Sequence, residues 1–428
     1  MRACGQVLPR RRRGIFRSRG KLRKAVKRVA IIGGGAAGCF CSVLARRRHP
    51  DWQVSVYEAG ARPMAKLAVT GGGRCNLTNS FASVRKLADA YPRGAALMRN
   101  ALRAFSQDDT MAWFEREGVR LTVQPDGCVF PESQDAMQIV RTLERLMRRS
   151  GVELCCGRRV LKIVPKNGTF VLEFADGSRE NADRVVLTAG GSSTDFLNRL
   201  LPECVEVVPA VPSLFTFKID DDGLRSLMGT VVQHAAMSLE GTSFRSEGVL
   251  LLTDWGVSGP ATLKLSSYAA RYLSEHAYEA GLLINWTGLP ETELRERLLS
   301  ACAANPRRQL GGVRPDGVTE RLWHHLLGRA GVKPELRCAE LGARGANRIV
   351  NTLGADRYRI CGRAAFKEEF VTCGGVSLSS VNLGTLECRG VPGLYFAGEV
   401  LDIDAVTGGF NLQAAWSSAY VVAEAISA

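Results

Sequence analysis

The sequence lacks the cysteine spacing that disulfide-rich and metal-binding proteins share. Its 13 cysteines are an odd number, they are scattered, and none forms a C-x-x-C pair. The close neighbours, Cys39 with Cys41 and Cys155 with Cys156, do not have the spacing of zinc or iron–sulfur ligands. We therefore expect reduced thiols, no metal site and a location in the reducing cytoplasm.

Acidic residues are absent from positions 1–28, which hold 12 of the 57 Lys and Arg residues. The rest of the chain has 45 basic and 42 acidic residues, so most of the formal charge of +15 belongs to this segment. We predict that residues 1–27 form a disordered basic tail. Three interpretations stay open. In the first, the start site is assigned too far upstream, and the fold does not need this segment. In the second, the segment is a tail that binds RNA or another anionic surface, and in the third it is a targeting segment without the apolar core of a secretory signal.

The run from Val29 to Ala45 is uncharged, but it does not have the character of a membrane span. Four glycines fall within its first ten residues. Glycines at this density favour a strand, a turn and a helix rather than one continuous apolar helix. We expect no membrane partner.

The same run contains the motif G-x-G-x-x-G between a predicted strand and a predicted helix. Gly33 permits a tight turn, Gly35 lets a pyrophosphate approach the backbone, and Gly38 lets the helix pack closely on the strand. Glu58 ends the second strand, twenty residues after Gly38, where a carboxylate can accept hydrogen bonds from a ribose. Strand, turn, helix, strand and acid at these offsets predict a dinucleotide site.

A second glycine-rich segment, TGGGRCNLTN, follows at residues 70–79. Three consecutive glycines let the backbone approach a flat or charged ligand, and Arg74 supplies a cation. Cys75 lies beside Arg74, which would favour its thiolate. Cys75 is also a candidate for the catalytic acid. The alternative is a packed, inert thiol.

The middle of the chain changes from helical to β-rich patterning. Residues 95–118 and 134–150 have the apolar spacing of amphipathic helices, and short strands are predicted at 160–164, 169–174 and 184–189. Residues 205–290 contain further short strands with turn signals, which favour a separate β-rich domain, and a barrel is one arrangement that fits them. Residues 291–345 are predicted to be helical.

The last 60 residues return to the dinucleotide-binding pattern. A strand ends at Gly398-Glu399, and Gly408-Gly409 precedes a helix from Leu412 to Ile426. We expect the start of this helix to stabilise negative charge on a ligand, and Asp402 to bond one of its hydroxyl groups.

These strings together resemble the two-dinucleotide-binding flavoproteins, and more narrowly the YhiN/BaiN-type flavoprotein family. The motifs VAIIGGGAAG, TGGGRCNLTN, LTDWGVSGPA, VTCGGV and GLYFAGEVLDIDAVTGGFNLQAAWSS carry the resemblance, which covers nearly everything after Lys27. It implies an α/β fold, Rossmann-like, with an inserted β-barrel domain and a small helical subdomain. We place the FAD-binding domain at 28–192 and 346–428, the β-rich insert at 193–290 and the helical subdomain at 291–345.

The resemblance also implies FAD as the cofactor. The expected cofactor-binding residues are Gly33, Gly35, Ala37, Gly38, Glu58, Lys66, Gly73, Asn76, Thr78, Val160, Ala189, Gly190, Gly398, Glu399, Asp402, Gly409, Asn411 and Leu412. No second complete G-x-G-x-x-G motif is present, so NADH or NADPH would dock transiently as electron donor. Arg74 and Cys75 are the catalytic candidates, for contact with the substrate carbonyl and for proton donation.

The activity implied is reduction of an activated C=C bond. A hydride from reduced FAD reaches the carbon β to a carbonyl, an acid protonates the α carbon, and donors stabilise the enolate. The leading expectation is uridine in large-subunit ribosomal RNA as substrate, which makes that RNA a possible partner. One alternative is a small-molecule enone reductase, steroid- or bile-acid-like, or an amine oxidase. Another is a non-catalytic, flavin-bound RNA-binding module.

Overall fold

The structure is a computed structural model that describes residues 27–364 and 371–426. The predicted basic tail lies outside this part of the chain except for Lys27.

Nineteen strands are present in the described residues. They are β1 (Arg28–Ile32), β2 (Gln53–Glu58), β3 (Thr78–Asn79), β4 (Leu121–Val123), β5 (Cys128–Pro131), β6 (Glu153–Cys156), β7 (Val160–Lys166), β8 (Thr169–Phe174), β9 (Arg179–Ala182), β10 (Arg184–Leu187), β11 (Val207–Ser213), β12 (Phe217–Ile219), β13 (Val231–Leu239), β14 (Arg245–Thr253), β15 (Gly256–Ser258), β16 (Glu279–Asn285), β17 (Asp356–Arg363), β18 (Val371–Val376) and β19 (Leu394–Phe396).

The helices of the described residues are α1 (Ala36–Arg48), α2 (Ala65–Gly73), α3 (Leu87–Ala90), α4 (Ala95–Ala104), α5 (Gln107–Arg116), α6 (Ala136–Ser150), α7 (Thr194–Leu200), α8 (Asp222–Arg225), α9 (Pro260–Tyr268), α10 (Ala270–Glu275), α11 (Glu291–Ala304), α12 (Glu320–Arg329), α13 (Ala343–Ala355) and α14 (Phe410–Ala425). Short 3₁₀ helices span Leu310–Gly312, Cys338–Glu340, Leu378–Ser380 and Gly398–Val400. None of the described helices is long and apolar enough to cross a membrane.

The first domain is built on a parallel sheet of five strands in the order β19-β10-β1-β2-β6. Helices α1, α6 and α14 pack together beside it, and the antiparallel sheet β7-β8-β9 packs against β1 and β10. A parallel strand covered on both faces needs a continuous apolar run, and Val29 to Ile32 supplies one. The predicted Rossmann-like α/β arrangement is confirmed.

The predicted helix at 95–118 is two helices in the structure. Ser106 Oγ accepts a hydrogen bond from Asp109 N at 3.2 Å, and the Asp109 carboxylate accepts one from Ser106 N at 2.8 Å. This reciprocal pair is a capping box, which starts a new helix at α5. The apolar period continues across the break, and for that reason the pattern alone indicates one helix.

The inserted domain is a closed antiparallel barrel in the order β12-β15-β14-β13-β16-β17. Its core is separate from the core of the first domain. Helices α11, α12 and α13 lie in sequence between the last two barrel strands, β16 and β17. The predicted return to the first domain at residue 346 is therefore too early, because α13 packs on α11 and β16, and β17 closes the barrel.

A two-stranded ribbon joins the barrel to the first domain. The chain leaves along β11 and returns along β18, which pairs with it antiparallel from Val207–Val376 to Ser213–Val371. Gly374 has a φ of +108°, and a Cβ built there would lie 2.3 Å from Pro209 O. The ribbon therefore requires glycine at this close approach.

A buried ion pair fastens the two domains together. The Arg93 guanidinium, before α4, binds the carboxylate of Asp404 through two nitrogens, and the Asp404 side chain is 0% exposed. Arg93 also donates to Ser267 O of α9 at 2.7 Å, and Ser213 Oγ donates to Asp404 at 2.9 Å. Since Ser267 belongs to the insert and Ser213 to the ribbon, one ion pair connects the first domain, the ribbon and the insert.

We predict that Arg93→Leu lowers the free energy of unfolding by about 3–5 kcal/mol, because it leaves Asp404 buried and unpaired. Arg297→Leu is the matched control. Arg297 pairs with Glu293 on the exposed face of α11, and its loss should cost less than about 1 kcal/mol. Urea unfolding of both variants measures the difference, and equal midpoints for the two would contradict the assignment.

Candidate functional site

A cavity of about 1020 Å³ lies between the first domain and the barrel. The first domain contributes the turn after β1, the residues after β10 and the start of α14. The barrel side contributes residues of β14, β15 and β17 and the segment before β12. The carboxyl ends of β1 and β10 open toward it, which is where ligands bind in open α/β sheets.

The first glycine turn has the geometry that the motif predicts. Gly33 has a φ of +111°, and a Cβ there would lie 2.4 Å from Thr188 O. A Cβ on Gly38 would lie 2.0 Å from Gly33 O, so this glycine lets α1 pack on the strand end. Gly35 differs, because a Cβ there would meet nothing within 4 Å and the residue lines the cavity. The open space beside Gly35 is therefore available to a ligand.

Glu58 closes the turn from the second strand. Its carboxylate accepts hydrogen bonds from Gly34 N at 2.8 Å and Gly60 N at 2.6 Å, and the residue lines the cavity. These bonds fix both oxygens in place. A carboxylate has further lone pairs beyond those two bonds, so Glu58 can still accept from a ligand hydroxyl.

The start of α14 is held by the second glycine-rich segment. Gly409 has a φ of +88°, and a Cβ there would lie 2.3 Å from Thr78 O. With its amide oriented to satisfy both partners, Asn76 donates to Thr78 O at 3.0 Å and accepts from Gly409 N at 3.2 Å. The Asn411 side chain accepts from Ala405 N at 2.9 Å and donates to Ala405 O at 3.0 Å. These contacts fix the helix start against the cavity.

Two helix N-termini meet at this cavity. Helices α1 and α14 pack against each other, and their N-cap residues, Gly35 and Gly409, provide no side-chain cap. The first N–H groups of a helix have no acceptor within the helix and carry partial positive charge. The cavity wall at Ala36, Ala37, Asn411 and Leu412 therefore favours anionic groups or acceptor atoms.

Three more of the expected residues line the cavity near the strand ends. Ala189 and Gly190 follow β10, and Glu399 follows β19. Glu399 accepts a hydrogen bond from Thr372 N at 2.9 Å, and Lys66 Nζ lies 4.0 Å from its other oxygen. The expected residues that the structure brings together on the cavity wall are Gly33, Gly35, Ala37, Glu58, Lys66, Asn76, Ala189, Gly190, Gly398, Glu399, Gly409, Asn411 and Leu412.

Five expected cofactor residues do not line the cavity. Gly38 and Thr78 pack behind it, and Gly73 lies beyond its edge. Val160 is 3% exposed within the core, and its expected contact stays a prediction. Asp402 accepts hydrogen bonds from Arg271 Nη2 on both of its oxygens at 2.8 Å, and its expected bond to a ligand hydroxyl stays a prediction as well.

The two catalytic candidates lie outside the cavity as well. Arg74 is exposed, donates to Gly71 O at 3.1 Å and lies 4.6 Å from the centre of the Phe130 ring. Cys75 is 0% exposed, and burial raises the pKa of its thiol to about 12. The expected thiolate is therefore wrong, because burial keeps the thiol protonated and enclosed.

Sequence reasoning missed the barrel side of the cavity. The missed residues share a position near the open end of the barrel or in the segment that leads into it: Ser213, Leu214, Phe215, Thr216, Leu251, Thr253, Trp255, Ser258, Leu263, Arg363 and Ala364. The string LTDWGVSGPA contains three of them, Thr253, Trp255 and Ser258. Its Trp-Gly turn directly after a predicted strand is the feature of the sequence that could have indicated this side of the cavity.

Comparison with known proteins agrees with this architecture. Residues 27–425 match the family model described as HI0933-like protein Rossmann domain. The ribosomal RNA dihydrouridine synthase of Escherichia coli is 30% identical over 404 residues, which are 92% of this chain and 96% of that protein. The 3-dehydro-bile acid delta(4,6)-reductase of Clostridium scindens is 30% identical over 420 residues, which are 94% of this chain and 99% of that protein.

Among solved structures, the quinol fumarate reductase of E. coli is similar, with a TM-score of 0.49 and 15% identity over 94% of this chain and 70% of that chain. The family match and the two curated relatives extend over almost the whole chain, including both the first domain and the barrel. The chain therefore belongs to the HI0933-like Rossmann-domain family and is an oxidoreductase of the flavoprotein type.

Proposed function

We propose that the cavity binds one extended FAD and that the protein uses it to reduce an activated C=C bond. The observation that carries this proposal is the meeting of two uncapped helix N-termini on one cavity. One terminus suits a pyrophosphate, and the other suits the electron-rich edge of a ring. A volume of about 1020 Å³ is at the upper end of small-molecule sites.

The residues present fit this cofactor. The turn Gly33–Ala37 would bind the pyrophosphate, which would occupy the open space beside Gly35. The Glu58 carboxylate would accept a hydrogen bond from a hydroxyl group of the adenosine ribose. The N–H groups of Asn411 and Leu412 would lie at the ring. When bound and reduced, FAD supplies a hydride to an electrophilic carbon.

The electron donor proposed is NADH or NADPH. Among the described residues, the sheet β19-β10-β1-β2-β6 carries one complete dinucleotide turn, at Gly33 to Gly38. A pyridine nucleotide would therefore dock transiently at the open side of the cavity rather than in a domain of its own. Anaerobic titration of the purified protein with each nucleotide identifies the donor by the bleaching of the yellow cofactor.

The proposed substrate is uridine in large-subunit ribosomal RNA. Two relatives that carry the name ribosomal RNA dihydrouridine synthase align over 92% and 93% of this chain. Arg62 and Lys66 are exposed at the cavity, and the chain has a formal charge of +15. Exposed cations of this kind attract the RNA backbone. Such a substrate also favours the cytoplasm as the place of action.

The second candidate is a small-molecule enone reductase. Its support is the relative named as a bile acid reductase and the apolar side chains at the barrel side, Leu214, Phe215, Leu251 and Leu263. These side chains could cover the flat face of a fused ring system.

We expect a deletion strain to lose dihydrouridine at one or more positions of its large-subunit ribosomal RNA. Reduction of the C5=C6 bond removes the aromatic uracil absorbance, and mass spectrometry detects the gain of two hydrogens in RNA digests. The purified protein with NADH or NADPH should restore the modification in RNA from the deletion strain. Unchanged dihydrouridine in that strain, with turnover of an oxo-steroid by the pure protein, would favour the second candidate.

We predict that Gly35→Ala weakens FAD binding by at least about tenfold, or about 1.4 kcal/mol, and leaves the fold intact. The added methyl meets no protein atom within 4 Å and projects into the space proposed for the pyrophosphate. Equilibrium dialysis of FAD against the apoprotein measures the affinity.

The matched control for this prediction is Gly342→Ala. Gly342 is the N-cap of α13, with a φ of −72° and a ψ of 167°, close to −80° and −168° at Gly35. A Cβ there also meets nothing within 4 Å, and the residue does not line the cavity. Both changes should shift the unfolding temperature alike. Equal FAD affinity in the two variants would argue against a pyrophosphate at Gly35.

We predict that Cys75→Ala changes turnover by less than about threefold, because a buried thiol outside the cavity cannot deliver a proton. Loss of a true general acid costs about 10²–10⁴-fold. Stopped-flow measurement of cofactor reoxidation by substrate separates this step from cofactor reduction. A loss of about a hundredfold with normal FAD content would restore Cys75 as the proton donor.

A further inference from the structure

A segment that is rich in cations and contains no acids borders the cavity. Residues 59–88 include five Lys and Arg residues and neither Asp nor Glu. Arg62 and Lys66 line the cavity, and Arg74 is hydrogen-bonded to Gly71, which lines it as well. We call Arg62, Lys66 and Arg74 the cationic rim.

The cationic rim is accessible because the inner side of the same segment is the buried side. Met64 and Leu67 are each 2% exposed, and Met64 N donates a hydrogen bond to Gly34 O of the first glycine turn at 2.7 Å. These contacts hold the segment against the first domain. All three rim residues are exposed, and the Lys66 side chain is 66% exposed. A ligand at the edge of the cavity can therefore reach them from solvent.

Arg74 is held in one orientation by two contacts. Its Nε donates to Gly71 O at 3.1 Å, and its guanidinium lies 4.6 Å from the centre of the Phe130 ring. The terminal nitrogens Nη1 and Nη2 have no hydrogen-bond partner among the residues that the structure describes. Since the guanidinium is already oriented, it loses little conformational freedom when its terminal N–H groups bind an anion.

Few carboxylates compete for these cations. Within residues 27–364 and 371–426, neither arginine of the rim forms an ion pair, and Lys66 Nζ lies 4.0 Å from Glu399, at the limit of an ion pair. The hairpin of β4 and β5 carries one acid, Asp126, whose Oδ1 accepts a hydrogen bond from Cys128 N at 3.1 Å. The rim therefore keeps a positive charge that can attract an anionic ligand.

A nucleotide of folded RNA that reacts in the cavity leaves its backbone at the cavity edge. An enzyme that acts on a base takes the base out of its stack and into a pocket, while the phosphates stay outside. Exposed cations at the edge of the pocket can then contact the phosphates that flank the reacting nucleotide. A neutral fused-ring substrate would enter the cavity whole and would not need cations at its edge.

We infer that the cationic rim binds the phosphates of an RNA strand whose target base has entered the cavity. This inference rests on the proposed function and names the surface that contacts the RNA backbone. Arg74 binds one phosphate through its two terminal nitrogens, which is the paired geometry that a guanidinium offers to phosphate oxygens. Arg62 and Lys66, on the cavity wall itself, contact phosphates closer to the reacting nucleotide.

The test is the salt dependence of RNA binding by the full-length protein reconstituted with excess FAD. The probe is a short single-stranded oligouridylate, and filter binding measures its affinity at several salt concentrations. Each phosphate contact that is lost lowers the slope of log affinity against log salt concentration by about 0.7–1. The 12 cations of residues 1–28 are present in every variant, so a difference in slope comes from the substituted residue.

The variants are Arg74→Gln, Arg62→Gln and their combination, with Arg74→Lys to retain the charge. Arg145→Gln is the matched control, because Arg145 is exposed and its Nη2 donates to a backbone carbonyl, that of Glu117, at 2.8 Å. Glu117 also pairs with Arg47 near the carboxyl end of α1. That end lies about 20 Å along the helix from the cavity, since α1 has 13 residues.

We expect Arg74→Gln and Arg62→Gln each to weaken RNA binding by about threefold to tenfold at low salt, and each to remove one contact from the slope. The double variant should remove two. Arg74→Lys should keep the wild-type slope because the charge remains, and Arg145→Gln should match the wild type in both quantities. Equal slopes for Arg74→Gln and Arg145→Gln would overturn the inference.

Two further measurements separate RNA binding from other roles of the rim. A fall in the unfolding temperature of Arg74→Gln, with weaker RNA binding at an unchanged slope, would assign Arg74 to the fold. Weaker NADPH binding by the double variant, with unchanged RNA affinity, would assign the rim to the electron donor. Either result overturns the inference.

Failure of the inference and failure of the proposed function give different results. If the wild type reduces uridine in an unmodified transcript of large-subunit ribosomal RNA, and the rim variants bind RNA as the wild type does, the inference is wrong while the proposed function stands. If the wild type reduces no uridine in that transcript, the proposed substrate fails and takes the inference with it.

Discussion

The structure depends on the packing of α1 against α14 with both N-termini at one cavity. The segment after β19 fits between the two helices only because Gly398 has no side chain: a Cβ there would lie 2.9 Å from Ala37 Cβ of α1 and 3.9 Å from Ala415 Cβ of α14. The two helices come from opposite ends of the chain, and each leaves its first N–H groups without a side-chain cap. An acceptor or anion in the cavity satisfies both sets at once. The rest of the fold holds this geometry in place.

The barrel completes the site from the other side. The ribbon of β11 and β18 and the Arg93–Asp404 pair fix its position relative to the first domain. The first domain therefore contributes its helix termini to the cavity, and the barrel contributes the opposite wall.

Local patterns were enough to predict the first domain. The offsets of Gly33, Gly35, Gly38 and Glu58 encode a turn whose geometry depends on neighbouring residues, and the structure has that turn. The barrel as a fold class was also predicted, from short strands with turn signals. Its last strand was not, because β17 is recognised by its pairing with β12, about 140 residues earlier in the chain. The spacing of residues along the sequence does not show which distant strand β17 pairs with.

The errors at the site have the same origin. The spacing of the sequence does not show that Asp402 pairs with Arg271, because the two are 131 residues apart. Cys75 seemed activated by the adjacent Arg74, but its side chain is buried while the arginine is exposed. Burial and long-range partners decide these roles.

The most direct test of the shared cavity compares FAD with FMN on the apoprotein. FMN carries the same reactive ring and lacks the adenosine half that Gly35 and Glu58 would hold. If both helix termini grip a single extended cofactor, gel filtration after reconstitution leaves one FAD on each chain and removes FMN. Equal retention of FMN, or a protein that stays colourless with either cofactor, would contradict this account.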